Sequence, residues 1–339
     1  MKKINVSKLP ALLSALAKKE ALYLPVDGKA GADYKRFEEG DTLSTALNTN
    51  RSAKDFFFPQ VEDMASFKVE GQKIEVFDTR KENEDFIIFG ARACDVRSFD
   101  ILDRVFLGAP VDTFYQNRRE HATIVSIACS RPEETCFCGS FGIDAANPAG
   151  DISAVYVGDE LYFTANTDKG TALLDSVSDL LEEGDEKKAE KEKEAIKETL
   201  KKLPLQDLPT DHFKAEDLME HFADANWAEL SKACLGCGTC TFVCPTCQCF
   251  DVRDFDTGHG IQRYRCWDSC MYSDFTQMAA ENPRHTQLER FRQRFMHKLV
   301  YYPANNEGIF GCVGCGRCLA KCPINMNIVK VMKKIGGDK

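Results

Sequence analysis

A chain of 339 residues with 43% hydrophobic and 29% charged side chains can fill about two packed cores, which excludes broad disorder. Its formal charge of −9 argues against a nucleic-acid partner. No apolar run approaches the roughly 18 residues of a membrane span, which leaves docking onto membrane proteins open.

In chain order, the opening MKKINVSKLPALLSALAKKEALYLP holds a short apolar stretch stopped by Lys18 and Lys19. Its spacing predicts an amphipathic helix from near Ser7 and not a secretory leader. The stretch FKVEGQKIEVFD (67–78) alternates around a Glu70-Gly71 turn, DFIIFG (85–90) reads as a short buried strand, and VRSFDILDRVFL (96–107) has helical apolar spacing. Further strands are expected at 122–129 and at 153–164, the latter broken by a Gly158-Asp159 turn.

The strand ending in Gly90-Ala91-Arg92 is followed by Cys94 and then by the helix, which places Cys94 at a carboxyl strand end, where α/β sheets commonly bind ligands. The bland alternative is a small buried hydrophobe. Cys129 ends the next strand, and CSRPEETCFCG carries Cys136 and Cys138 back over it. If the two strands are adjacent and parallel, Cys94, Cys129, Cys136 and Cys138 form a quartet; a redox dithiol at Cys136 and Cys138 competes with that reading.

Residues 181–202, LEEGDEKKAEKEKEAIKETLKK, place Glu and Lys three and four apart with few large apolar residues. They read as a solvent-facing helix or a mobile linker. The division that follows is a mixed α/β domain over 1–178, a charged helix or linker over 179–203, and a mainly helical domain over 204–339. Pro204 and Pro209 break the helix, 217–230 is a short amphipathic helix, and Leu288, Phe291, Phe295 and Leu299 form an apolar stripe within 285–302. The arginines of that last helix are therefore not taken as a nucleic-acid patch.

The sixteen cysteines carry the chemistry. CLGCGTCTFVCP (234–245) and CVGCGRCLAKCP (312–323) both match C-x2-C-x2-C-x3-C-P, the bacterial ferredoxin pattern in which the fourth cysteine serves the other cluster. Cys234, Cys237, Cys240 and Cys322 are thus assigned to one 4Fe-4S cluster, and Cys312, Cys315, Cys318 and Cys244 to a second. Zinc sites take paired C-x2-4-C ligands and fit this crossed arrangement poorly. Such close spacing also makes a poor disulfide framework, so a reducing compartment, the cytoplasm, is expected. The insertion at 246–311 adds Cys247, Cys249, Cys266 and Cys270, read either as a further metal group or as buried structural thiols.

There is no dinucleotide-binding fingerprint, P-loop, H-E-x-x-H or nucleophile elbow, and His221 reads as a surface or capped residue and not a ligand. No catalytic residue is assigned. The alternatives kept open are a structural or regulatory iron–sulfur subunit and an oxidoreductase acting at an N-terminal cluster.

Six stretches together carry a family likeness: FGARACDVRSFDILDR (89–104), YQNRREH (115–121), CSRPEETCFCGS (129–140), CGTCTFVCPTCQCF (237–250), RYRCWDSC (263–270) and CVGCGRCLAKCP (312–323). They resemble the dicluster A subunit of anaerobic sulfite reductase and the beta subunit of cytoplasmic sulfhydrogenases. The resemblance implies an electron-transfer subunit between a flavoprotein NAD(P)H-oxidoreductase subunit and a catalytic subunit bearing sirohaem or a nickel–iron centre. It also implies that Cys94, Cys129, Cys136 and Cys138 act together as a third cluster site. Cys247, Cys249 and Cys270 match motif positions, whereas Cys266 does not.

Overall fold

The computed structural model describes residues 1–46, 48–80 and 84–337. Its strands are β1 (Lys2–Asn5), β2 (Ala21–Gly28), β3 (Gly31–Arg36), β4 (Val61–Glu70), β5 (Lys73–Asp78), β6 (Phe86–Ala91), β7 (Ala122–Ile127), β8 (Ile152–Val157), β9 (Glu160–Ala165), β10 (Glu182–Glu183), β11 (Phe250–Asp256) and β12 (Ile261–Trp267). The main sheet runs β10-β1-β9-β8-β7-β6-β2-β3, with a parallel centre of β2, β6, β7 and β8 and antiparallel neighbours on both sides.

The two middle strands, β6 and β7, are buried along their whole length, β6 entirely apolar and β7 interrupted only by Thr123 and Ser126, because both of their faces are covered. Ile87, Phe89, Val125 and Ile127 pack under Leu9, Leu12, Leu13 and Leu16 of the helix Leu9–Ala17. On the other face, Phe86, Ile88 and Ile124 meet Phe99, Leu102 and Phe106 of the helix Ala93–Phe106, with Phe57 and Tyr115. The N-terminal half is therefore a mixed α/β layer structure, and the chain beyond residue 200 is largely helical.

The second sheet, β11-β12-β4-β5, joins distant parts of the chain. The expected hairpin at 67–78 turns at Gly71, and β4 pairs on its free side with β12, Arg263 opposite Ala65 and Cys266 opposite Val61. The segment between the two cysteine runs thus bonds back to the N-terminal half. Trp267 anchors it, donating from Nε1 to the Phe58 carbonyl at 3.1 Å and stacking on the Phe58 ring. Buried Arg265 pairs with Glu62 and Asp112.

Three helices differ in detail from the pattern-based reading. The first begins at Leu9 and not near Ser7, because Lys2–Asn5 is held as a strand and the Asn5 side chain accepts from the Ser7 N–H to cap a 3-10 turn over Val6–Lys8. The stretch 217–230 splits into Leu218–Ala223 and Asn226–Lys232, with the Asp224 carboxylate accepting from the Asn226 N–H at the break. The helix Gln287–Met296 starts at a capping box of Thr286 and Glu289 and continues through a π turn over His297–Tyr301.

The charged segment forms the helix Glu186–Lys201, capped by Asp185, with its Glu–Lys pairs outward and Ala189 and Ile196 buried beside Val155 and Tyr162. Exposed pairs of this kind add little, so the buried stripe holds the helix down. Ile196→Ala should lower thermal stability by at least about 2 kcal/mol. An unchanged unfolding midpoint would show that the helix is not docked.

Candidate iron–sulfur sites

The two cysteine runs fold into the same turn twice. Gly236 and Gly314 take positive φ (66° and 59°), as do Gly238 and Gly316 (72° and 77°). That backbone aims the Gly236 N–H at Cys234 Sγ (3.4 Å) and the Gly314 N–H at Cys312 Sγ (3.5 Å). Each second glycine then starts a short helix, Thr239–Phe242 or Arg317–Lys321, and these two helices pack on one another.

Cys244, Cys312, Cys315 and Cys318 line one small cavity, walled by Phe137, Pro245, Val313 and Ile328 and flanked by Arg294 and Lys298. Cys244 comes from the first run and the other three from the second. Burial pushes the Cys312 thiol up to about 12. In the other quartet Cys240 has Cys234 and Cys237 as neighbouring thiols. Cys322 directly follows the helix packed on Thr239–Phe242, its Sγ 3.2 Å from the Met326 carbonyl. Cys237 is exposed beside Leu235, with Thr239 Oγ1 at 3.4 Å from its Sγ and its carbonyl accepting from Tyr272 OH.

The N-terminal cysteines sit where β6 and β7 end side by side. Gly90 bulges out of β6 at φ +90°, packed so closely on Pro25 that a Cβ would lie 3.1 Å from Cδ, and turns the chain into the helix whose first turn holds Cys94 and Asp95. Cys129 follows β7, its N–H donating to the Ala145 carbonyl. Burial raises the Cys136 thiol to about 11 and the Cys138 thiol to about 12, with neighbouring Cys129 adding to both. Burial also raises Cys94, whose neighbouring thiols are Cys315 and Cys138.

This N-terminal loop lies directly on the second C-terminal run. Phe137 N–H donates to the Gly314 carbonyl at 2.8 Å. A Cβ on Gly314 would meet the Phe137 backbone at 2.5 Å, and one on Gly316 would meet the Thr135 carbonyl at the same distance. Asn48 Nδ2 donates to the Cys315 carbonyl (3.0 Å) and approaches Cys136 Sγ (3.6 Å). Asp95 and Arg317, 1% and 2% exposed, pair at 2.8 Å, and Arg317 also donates to Thr49. Gly314→Ala should therefore separate the two loops, costing about 1–2 kcal/mol from the left-handed backbone alone and more from the clash. Faster alkylation of Cys136 and Cys138 would report it; unchanged labelling and unchanged melting would contradict it.

In the insertion, Cys247 contacts Cys244, and Cys249 contacts Cys270. The hydrogen bond from Cys270 draws the Cys249 thiol down and pushes Cys270 up. Lys54 donates to the Cys247 carbonyl at 3.0 Å and sits 3.5 Å over the Trp267 ring. Cys266 is set apart from these three: it lies on β12 opposite Asp251, close to Arg253 and Asp268. His221 is buried, stacked on Phe213, with Nε2 at 2.6 Å from the His212 carbonyl.

Among the described residues no three His, Cys, Asp or Glu side chains converge closely enough for a single metal ion. Thiolates bound to a cubane stand farther apart than the ligands of one ion, so this geometry bears on zinc and not on a cluster. The residues present fit an iron–sulfur group: two buried and two half-buried thiols share a cavity, beside a buried guanidinium whose Nε and Nη1 lack partners among the described residues. Arg294 and Lys298 are functional candidates that the cysteine pattern does not point to. The available signal was their position three residues after Phe291 and Phe295, on the apolar stripe itself.

The fold and the repeated cysteine turns define a dicluster ferredoxin-type domain joined to an α/β domain. Residues 233–326 match the family model for a 4Fe-4S dicluster domain. Sulfhydrogenase 2 subunit beta of Pyrococcus furiosus is 32% identical over 342 residues, spanning 98% of this chain and 97% of that protein. No solved structure matches. The chain belongs to the sulfhydrogenase beta-subunit family and is an iron–sulfur electron-transfer protein.

Proposed function

We propose that this chain is the electron-relaying subunit of a cytoplasmic oxidoreductase complex. Its partners are a flavoprotein subunit that exchanges electrons with NAD(P)H and a catalytic subunit of the sirohaem sulfite reductase or nickel–iron hydrogenase type. The printed name of the relative, a sulfhydrogenase subunit, supports membership of a complex. The observation that carries the reading is the contact of the loop holding Cys136 and Cys138 with the loop holding Cys312, Cys315 and Cys318.

Cys234, Cys237, Cys240 and Cys322 would hold one 4Fe-4S cluster, Cys244, Cys312, Cys315 and Cys318 a second, and Cys94, Cys129, Cys136 and Cys138 a third. Cys247, Cys249 and Cys270 remain candidates for an additional group. Bound clusters supply one-electron carriers whose potentials follow charge, hydrogen bonding and solvent exposure. The chain's own part is to hold these sites rigidly. The Gly236 and Gly314 N–H groups donate to sulfur, and the Asp95–Arg317 pair and Asn48 lock the N-terminal loop onto the second run. Leu235, 64% exposed beside Cys237, gives the first quartet a surface edge suited to a partner.

Anaerobically purified protein should contain about twelve irons and matching acid-labile sulfide per chain. About eight would remove the N-terminal site from the relay, and about sixteen would add one in the insertion. Mixed with its partners, the reduced chain should appear on adding NAD(P)H and disappear at the turnover rate when the acceptor is supplied. Clusters that stay oxidised during turnover would overturn the relay.

A further inference from the structure

Two buried cations between the C-terminal quartets lack a counter-charge among the described residues. Arg294 and Lys298, 2% and 4% exposed, lie one helical turn apart on Gln287–Met296 and its π-turn continuation. Lys298 Nζ donates to Thr246 Oγ1 (2.8 Å) and to the Gly311 carbonyl (2.9 Å). Arg294 Nη2 donates to the Cys240 carbonyl (3.2 Å), while its Nε and Nη1 have no partner among the described residues. These partners are all neutral. Arg317, equally buried nearby, is matched by Asp95.

Leaving a positive charge unpaired in a protein interior costs several kcal/mol. Two such residues in adjacent turns therefore require an anion that the side chains do not supply. Both line the cavity of Cys244, Cys312, Cys315 and Cys318. Arg294 alone also reaches the other quartet, through Cys240. An iron–sulfur cubane held by four thiolates is a net anion, and reduction adds one more negative charge. In a low-dielectric interior a neighbouring cation favours the reduced form.

We propose that Lys298 and Arg294 are the charge-compensating residues that raise the reduction potentials of the two C-terminal clusters, Lys298 acting on the Cys244/Cys312/Cys315/Cys318 site and Arg294 on both. This rests on the cluster assignment proposed above. Neither residue touches a reacting atom; each acts through the field it places on the site.

The test is an EPR-monitored redox titration of the anaerobically purified full-length chain. Lys298→Gln keeps donors for Thr246 and Gly311 but removes the charge, so it should move one cluster signal to lower potential and leave the other in place. Arg294→Gln should lower both, whereas Lys298→Arg and Arg294→Lys should stay near the unaltered chain. Full iron content with unmoved midpoints would overturn the proposal, as would a charge-preserving variant shifting as far as its neutral counterpart. If the neutral variants purify without iron, retention of iron in Lys298→Arg and Arg294→Lys supports the need for charge, and its loss there too refutes it. An unaltered chain with fewer than about eight irons would instead count against the cluster assignment.

Discussion

Cys322→Ser is expected to remove the cluster assigned to Cys234, Cys237 and Cys240 while sparing that of Cys312, Cys315 and Cys318, its own neighbours in sequence. Iron should fall by about four per chain, with loss of one EPR signal. The reasoning is geometric. A C-x2-C-x2-C turn wraps three thiols around one site, and the fourth cysteine, after a helical turn and ahead of a proline, is carried away from it. Cys322 leaves the helix Arg317–Lys321, which packs on the helix that carries Cys240. Serine keeps the size but replaces a thiolate with a hydroxyl that is a much weaker ligand for iron. Cys244→Ser should produce the complementary loss. If Cys322→Ser abolished only the signal retained by Cys312, Cys315 and Cys318, the crossed assignment would be wrong.

Asp95→Ala carries the largest expected effect on stability. Arg317 is fully buried, and its guanidinium meets both Asp95 carboxylate oxygens, at 2.8 and 3.1 Å, together with Thr49. Removing the carboxylate strands the guanidinium, at a cost of about 3–5 kcal/mol. The double variant Asp95→Ala with Arg317→Met should recover much of that loss, because a neutral side chain of similar length needs no partner. Thermal melts of the two single variants and the double variant form a cycle. A coupling near zero would show that the pair does not join the two halves of the chain.

Some of the architecture was legible because its cause is local. The apolar run of β6 marked a buried strand, the β-branched run of β7 a second strand, and Gly71 and Gly158 hairpin turns with positive φ. The hairpin β11–β12 was missed. Val252 and Phe255 are apolar but exposed, so the alternation in FDVRDFD does not report which face is buried. The sharing of its sheet with β4 depends on pairing across nearly two hundred residues, and no local signal carries that.

The dicluster character of the chain was determined by sequence alone, because three ligands within seven residues and a turn that demands glycine are encoded in one short segment. Only the tertiary structure decided what surrounds those segments. It set the Cys136–Cys138 loop against Gly314, separated Cys266 from Cys247, Cys249 and Cys270, and turned Arg294 and Lys298 inward. The physical reason is that burial and neighbouring charge are properties of packed elements far apart in the chain. A ligand motif names what a site can hold, while the packing around it sets the field in which the site works.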